Sequence, residues 1–138
     1  MECVLAEGLA TTGDDWKWVS ERRTGTTRLR IDSLAELTNV DALAELTQLT
    51  SLNLQSCYSM QNLNGLTSLG GLTELQLTCE PWTNMGTLAE LTGLTSLTLC
   101  ANGDMENVDI LAGLTGLTSL ELWCRSVTNV DGLAALKD

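Results

Sequence analysis

The sequence predicts an α/β solenoid, with short parallel strands along one face and brief helical turns behind them. Three observations predict it. An L-x-L signature recurs at Leu29/Ile31, Leu52/Leu54, Leu75/Leu77, Leu97/Leu99 and Leu120/Leu122, and its second members are 23, 23, 22 and 23 residues apart. A second column, Asn39, Asn62, Asn84, Asn107 and Asn129, keeps step with the first. The apolar content is almost all leucine, with no Phe and one Pro in 138 residues, as expected of a core that presents the same environment at every repeat.

Each L-x-L segment alternates at period two, which reads as a strand with one face buried. After each Asn of the second column comes an apolar residue, and then Asp41, Asn64, Gly86, Asp109 or Asp131. These five are expected helix N-caps, because a short side-chain oxygen or an unhindered Gly suits the free amides of a first turn. Leucines follow at spacing three, as at Leu43, Leu46 and Leu49. Over so few residues this favours 3₁₀ geometry or one to two α turns. Gly71, Gly93 and Gly116 close the turn, with Gln48 in that place in the first repeat; glycine there permits a left-handed exit.

No such unit buries its own leucines, so the units must stack into one continuous core. Five strands about 4.8 Å apart give a sheet ~20 Å across. Residues 1–26 are expected to form an N-terminal capping segment built on Trp16 and Trp18, which alternate about Lys17 as in a strand. The alternative use of that region is a basic partner site of Arg22, Arg23, Arg28 and Arg30, offset by five acids in the first thirty residues. Residues 27–138 form the repeat domain, about five repeats. Its C-terminal end, "VDGLAALKD", puts Val130, Leu133 and Leu136 in core columns with no polar cap after them. Either the protein continues or these ends associate.

The columns "LTxLTSLxL…NVDxLAxL" across residues 27–138 resemble leucine-rich repeats, and their spacing is most similar to the internalin type. The resemblance implies a leucine-rich repeat solenoid: a right-handed horseshoe with a short parallel sheet on its concave face, where protein partners bind. One column departs from the family pattern. An Asn usually stands three residues after the last strand leucine and bonds neighbouring backbone groups in a ladder; here the column reads Cys57, Glu80, Asn102 and Arg125. Either the loop is rearranged, or the column of Asn39, Asn62, Asn84, Asn107 and Asn129 does comparable bonding on the other side of the core.

Charge and composition exclude several functions. The net charge is −11, and residues 31–124 hold eleven acids and no Lys or Arg. Such a body repels phosphate backbones, so no nucleic acid is expected, and it attracts basic partners or simply confers solubility. No apolar run approaches the length of a bilayer span, and Glu2 stands where an export signal carries positive charge. No membrane insertion is expected. The compartment stays open, with a cytoplasmic location the nearer expectation and any export signal lying outside this chain.

There is no His and no C-x-x-C, which removes the usual zinc ligand spacing and the Ser-His and Cys-His nucleophile pairs. No metal, no cofactor and no enzymatic activity are expected; a catalytic role for Cys100 or Glu121 has nothing beyond the fold to support it. Cys57 is expected to point inward, Cys100 onto the concave face, and Cys79 and Cys124 into the exit loops. We read them as structural thiols, with one Cys79–Cys100 bridge as the alternative. Asp104, Glu106 and Asp109 crowd oxygen ligands into the loop Asn102–Asp109. The spacing is not that of an EF-hand, and Met105 and Val108 fall on core columns, so the segment reads as a solvated loop.

The residues between the strand leucines face outward. The candidate partner-binding residues are Arg28 and Arg30 on the first strand, Asn53 and Gln55 on the second, and Glu74 and Gln76 on the third. Thr98 and Cys100 follow on the fourth, and Glu121 and Trp123 on the fifth. Trp123 is the only aromatic residue among them. It reads either as a binding anchor or as a cover over the leucines of the last repeat. The expected function is a non-catalytic protein–protein interaction module that takes a protein partner, basic in character, on the concave sheet. The alternatives are a structural or assembly segment of a longer repeat array, or an extracellular adhesin-type receptor fragment.

Overall fold

The computed structural model describes residues 25–33, 37–78, 85–101, 105–106 and 108–136, and, for the backbone alone, Glu2–Leu5. Strands β1 (Glu2–Leu5), β2 (Arg28–Asp32), β3 (Ser51–Gln55), β4 (Glu74–Thr78), β5 (Ser96–Ala101) and β6 (Ser119–Cys124) form one parallel sheet in chain order. Behind β2 to β6 lie the 3₁₀ turns η1 (Asp41–Glu45), η2 (Asn64–Ser68), η3 (Met85–Glu90), η4 (Asp109–Leu111) and η5 (Asp131–Ala135).

All five strands expected from the L-x-L columns are present, and β1 precedes them as a sixth. Cys3 and Leu5 are the Cα partners of Leu29 and Ile31, so "CVL" is a further copy of the signature with Cys in its first position. Part of the segment expected to cap the sheet is therefore a strand of it. Trp16, Trp18, Arg22 and Arg23 lie outside the described residues.

The strand leucines stack in register: Leu29, Leu52, Leu75, Leu97 and Leu120 are successive Cα partners, as are Ile31, Leu54, Leu77, Leu99 and Leu122. In β2 to β5 these side chains are at most 2% exposed. Each contributes roughly 1.5–3 kcal/mol by leaving water.

The opposite wall of the core is built by the leucines at spacing three. Leu43 N–H donates to Val40 O at 2.9 Å, Leu46 N–H to Leu43 O at 2.8 Å and Leu49 N–H to Leu46 O at 2.9 Å. The same staircase climbs through Leu63, Leu66, Leu69 and Leu72, and through Val108, Leu111, Leu114 and Leu117. Three residues per turn eclipse i and i+3, so one column of leucines both closes the hydrogen bonds and faces the core. That decides for 3₁₀ over α.

Two expectations about these turns are corrected. The N-cap positions are Val40, Leu63, Val108 and Val130, and none makes a side-chain cap bond. At η1, η2 and η5 the cap comes instead from the Asn one residue earlier. Asn39, Asn62 and Asn129 each accept, through Oδ1, the N–H two residues on, at 3.1, 3.2 and 2.7 Å from Asp41, Asn64 and Asp131. These Asn side chains therefore tie off their own repeat, as an Asx-turn does, and Asn129 also gives its backbone N–H to Glu106 O of the preceding repeat at 3.4 Å; Asn84 and Asn107 lie outside the described residues. The second correction concerns Gly71, Gly93 and Gly116, none of which has a left-handed φ. A Cβ on them would sit at 3.4–3.6 Å from the nearest carbonyl of the preceding repeat, an ordinary contact. Gln48 occupies the equivalent place for that reason.

Glycine is required elsewhere. A Cβ on Gly65 would run into the Val40 carbonyl oxygen and come within 2.6 Å of Asp41 Cα, and one on Gly132 would come within 2.6 Å of Asp109 Cα. At both places a 3₁₀ turn lies directly on the one before it. Left-handed backbone occurs at non-glycine residues, Ser33 (φ 58°) and Ser56 (φ 54°). They end β2 and β3 two residues after the last strand apolar residue, and their N–H groups donate to Gln55 O and Thr78 O in the next repeat at 3.0 and 3.2 Å. In β5 and β6 that column stays extended, through Ala101 and Cys124. Cys124, expected in an exit loop, is therefore the last residue of β6.

Repeats are tied together by threonines at the strand entrances. Thr50, Thr73, Thr95 and Thr118 each give both the backbone N–H and the hydroxyl to the carbonyl of the preceding threonine, at 2.8–2.9 Å and 3.0–3.2 Å. The next residue's N–H, from Ser51, Glu74, Ser96 or Ser119, joins the same acceptor at 3.0–3.1 Å. These threonines supply an inter-repeat ladder of their own.

The core thins at the C-terminal end. Leu120, Leu122, Leu133 and Leu136 are only half-buried, and Val130 is 57% exposed where Val40 and Val108 are 0%.

Candidate functional site

Alternation along each strand turns every second residue away from the leucine core, and parallel register aligns those residues in three rows. The first row from β2 onward is Arg28, Ser51, Glu74, Ser96 and Ser119. The second is Arg30, Asn53, Gln76, Thr98 and Glu121, and the third Asp32, Gln55, Thr78, Cys100 and Trp123. The ten residues singled out in the sequence thus fall on one face of one sheet. Arg28, Arg30, Glu74, Glu121 and Trp123 are exposed, and Asn53, Gln55, Gln76, Thr98 and Cys100 half-buried.

The face is polarised. Its N-terminal end carries the cations. Arg30 Nη2 donates to Gln55 Oε1 at 2.9 Å and pairs with Asp32 Oδ2 at 3.2 Å. Both members of that ion pair are substantially solvated, so it orients the guanidinium more than it stabilises the fold. In the middle, Asn53 Nδ2 donates to Gln76 Oε1 at 2.9 Å, which leaves the buried Asn53 Oδ1 without a partner. Glu74 shares β4 with Gln76, and the C-terminal strand β6 brings a second carboxylate, Glu121, and the aromatic Trp123.

Trp123 is 66% exposed and is a Cα partner of Cys100. It projects from the face opposite to that of Leu122, so its indole does not cover the half-buried leucines of β6. Cys100 carries a thiol on the same face. Cys57 is fully buried, as expected, and its Sγ–H donates to Gln55 O at 3.2 Å. Cys124 faces the other way, with its Sγ 3.8 Å from Met105 Sδ. Cys79, and with it the alternative Cys79–Cys100 bridge, lies outside the described residues, as do Asn102 and Asp104 of the acidic loop. Among the described residues no three His, Cys, Asp or Glu side chains come together as a metal site, and no helix is long and apolar enough to cross a membrane.

The threonine ladder was legible as a column, Thr27, Thr50, Thr73, Thr95 and Thr118 at spacings of 23, 23, 22 and 23. A threonine before a strand also reads as ordinary β propensity, and this hides its bonding role.

No protein-family model matches the chain, and no curated protein matches it. Solved structures do. Internalin C2 of Listeria monocytogenes strain 4b F2365 superposes with a TM-score of 0.65 at 31% identity, over 80% of this chain and 48% of that one. An internalin, inlF, of the same strain superposes with a TM-score of 0.58 at 21% identity, over 86% of this chain and 40% of that one; at that identity the likeness is one of fold. The chain spans less than half the length of either. Six strands in parallel register, a turn behind each from β2 onward, and this likeness agree: the chain is a leucine-rich repeat protein whose repeats are of the internalin type.

Proposed function

We propose that the chain is a non-catalytic protein-interaction module that binds a partner protein on its concave sheet, with Trp123 as the anchor. The observation that carries this reading is Trp123 itself, a large apolar side chain 66% exposed on a sheet face whose other members are small or polar. Trp is enriched among binding hot spots because it buries much area and offers one donor. Glu121, two residues before it on the same face of β6, suits a partner that presents cations there, while Arg28 and Arg30 at the far end set its direction. Between them lie Thr98 and two glutamines already held in place, Gln55 by Arg30 and Gln76 by Asn53, all with hydrogen-bonding groups to offer.

The test is a titration of the partner recovered on immobilised chain against the wild type, Trp123→Ala and Glu121→Ala, with circular dichroism on each. Trp123→Ala is expected to weaken binding by at least ~2 kcal/mol with the fold intact. Glu121→Ala is expected to cost less, with an effect that shrinks as salt rises. Normal binding by a Trp123→Ala variant that melts much earlier would assign the indole to the fold and remove the anchor.

A further inference from the structure

The concave face carries its shortest side chains along β5. The outward residues there, Ser96, Thr98 and Cys100, are small and half-buried. The strands on either side carry longer ones. Glu74 and Gln76 on β4 are the Cα partners of Ser96 and Thr98, and Glu121 and Trp123 on β6 are those of Thr98 and Cys100. This makes a shallow trough along β5, with a carboxylate on each wall and an indole near its exit end. Everything that forms it lies from β4 to β6.

Neither carboxylate is neutralised from within. Among the described residues the side chains of Glu74 and Glu121 make no hydrogen bond or ion pair, whereas Arg30 and Asp32 at the other end of the face hold each other. Residues 31–124 contain no Lys or Arg, and Arg125 comes only after β6 has ended. A counter-ion for this trough therefore has to be brought by a partner.

We propose that the trough receives an arginine side chain of the partner protein. This rests on the reading of the concave sheet as a protein-binding face and names the group that face selects. Glu121 and Trp123 stand two residues apart on one face of β6, about 6.6 Å along the strand. A cation seated on the indole, within about 6 Å of the ring, is therefore also in reach of the Glu121 carboxylate. Guanidinium suits both contacts at once: its face stacks on the indole while its edge forks to a carboxylate. A lysine ammonium is a compact, strongly hydrated charge and cannot stack. Glu74 stands across the trough, two strand spacings or about 9.6 Å from β6, and adds negative potential from the other wall. The small residues of β5 leave room for the aliphatic stem of the arginine, and the Thr98 hydroxyl beside Glu121 can accept a further N–H.

The test is an NMR titration of the full chain at low salt with an end-blocked peptide, Ser-Gly-Ser-Arg-Ser-Gly, and with versions carrying lysine or citrulline in place of arginine. The Trp123 indole N–H resonance is identified by its loss in Trp123→Phe. The arginine peptide is expected to shift it saturably. The lysine peptide should bind at least about threefold more weakly, and the citrulline peptide, which keeps the shape without the charge, at least about tenfold. Glu121→Gln should weaken the arginine peptide about fivefold or more and Glu74→Gln about twofold, both effects fading as salt rises. Thr98→Arg, which sets the chain's own guanidinium in the trough, should abolish binding, with circular dichroism showing the fold intact. No saturable shift, equal binding of the three peptides, or arginine binding indifferent to both Glu121→Gln and Thr98→Arg would overturn the proposal. The two readings fail separately. Absent peptide binding beside a partner that is lost with Trp123→Ala sinks the arginine alone. A saturable arginine site beside a partner indifferent to Trp123→Ala sinks the anchor alone.

Discussion

Thr50 gives both its backbone N–H and its hydroxyl to the carbonyl oxygen of Thr27, at 2.8 and 3.0 Å. The same pair of bonds recurs at each later strand entrance, so the ladder is a structural repeat in its own right. Thr73→Val keeps the side-chain shape and removes one hydroxyl bond. The expected cost is about 0.5–1 kcal/mol, read from the urea midpoint. A larger loss would mean that the ladder acts cooperatively along the stack.

Gly65 and Gly71 should respond oppositely to the same change. Gly65→Ala forces a Cβ onto the backbone of Val40 and Asp41, and is expected to cost about 1–3 kcal/mol as the turns are pushed apart. At Gly71 the nearest atom would be 3.6 Å away. Gly71→Ala should therefore be neutral or stabilising by up to about 1 kcal/mol, through the lost freedom of the unfolded chain. Thermal melts of the two variants decide it.

Ser56 holds a left-handed φ of 54° at the end of β3. A side chain in that region costs roughly 1–2 kcal/mol, and glycine is free of that cost but loses more entropy on folding. Ser56→Gly is expected to gain about 0.5–1 kcal/mol in chemical denaturation. A loss instead would show that the serine makes a contribution larger than its strain.

The two candidate capping columns can be separated at η1. Asn39→Ala removes the acceptor of the Asp41 N–H and should cost about 1 kcal/mol. Asp41→Ala, which removes no cap bond, should cost clearly less. Equal losses, measured by paired unfolding curves, would return the capping role to Asp41.

The repeat, strands β2 to β6, the continuous leucine core and the set of outward-facing residues were all legible in the chain. The reason is that period two and a 22–23-residue column spacing leave one arrangement in which Leu29, Leu52, Leu75, Leu97 and Leu120 all stack. Even the 3₁₀ turns were within reach, since leucines at spacing three fit that pitch.

Contacts between neighbouring repeats were decided only in three dimensions. Which glycines are indispensable depends on how closely one turn lies on the last, and Gly65 and Gly71 look alike in the chain. Which side chain caps a turn depends on where the turn begins, and a shift of one residue passes the role from Asp41 to Asn39. β1 was hidden because Cys3 replaces the leucine of the signature, and its strand character comes from pairing with β2. The exposure of Trp123 is likewise tertiary. Its strand position gives a direction, but only the stacking of β5 against β6 shows that the indole stands clear of the leucines of the last repeat, because burial depends on what lies alongside.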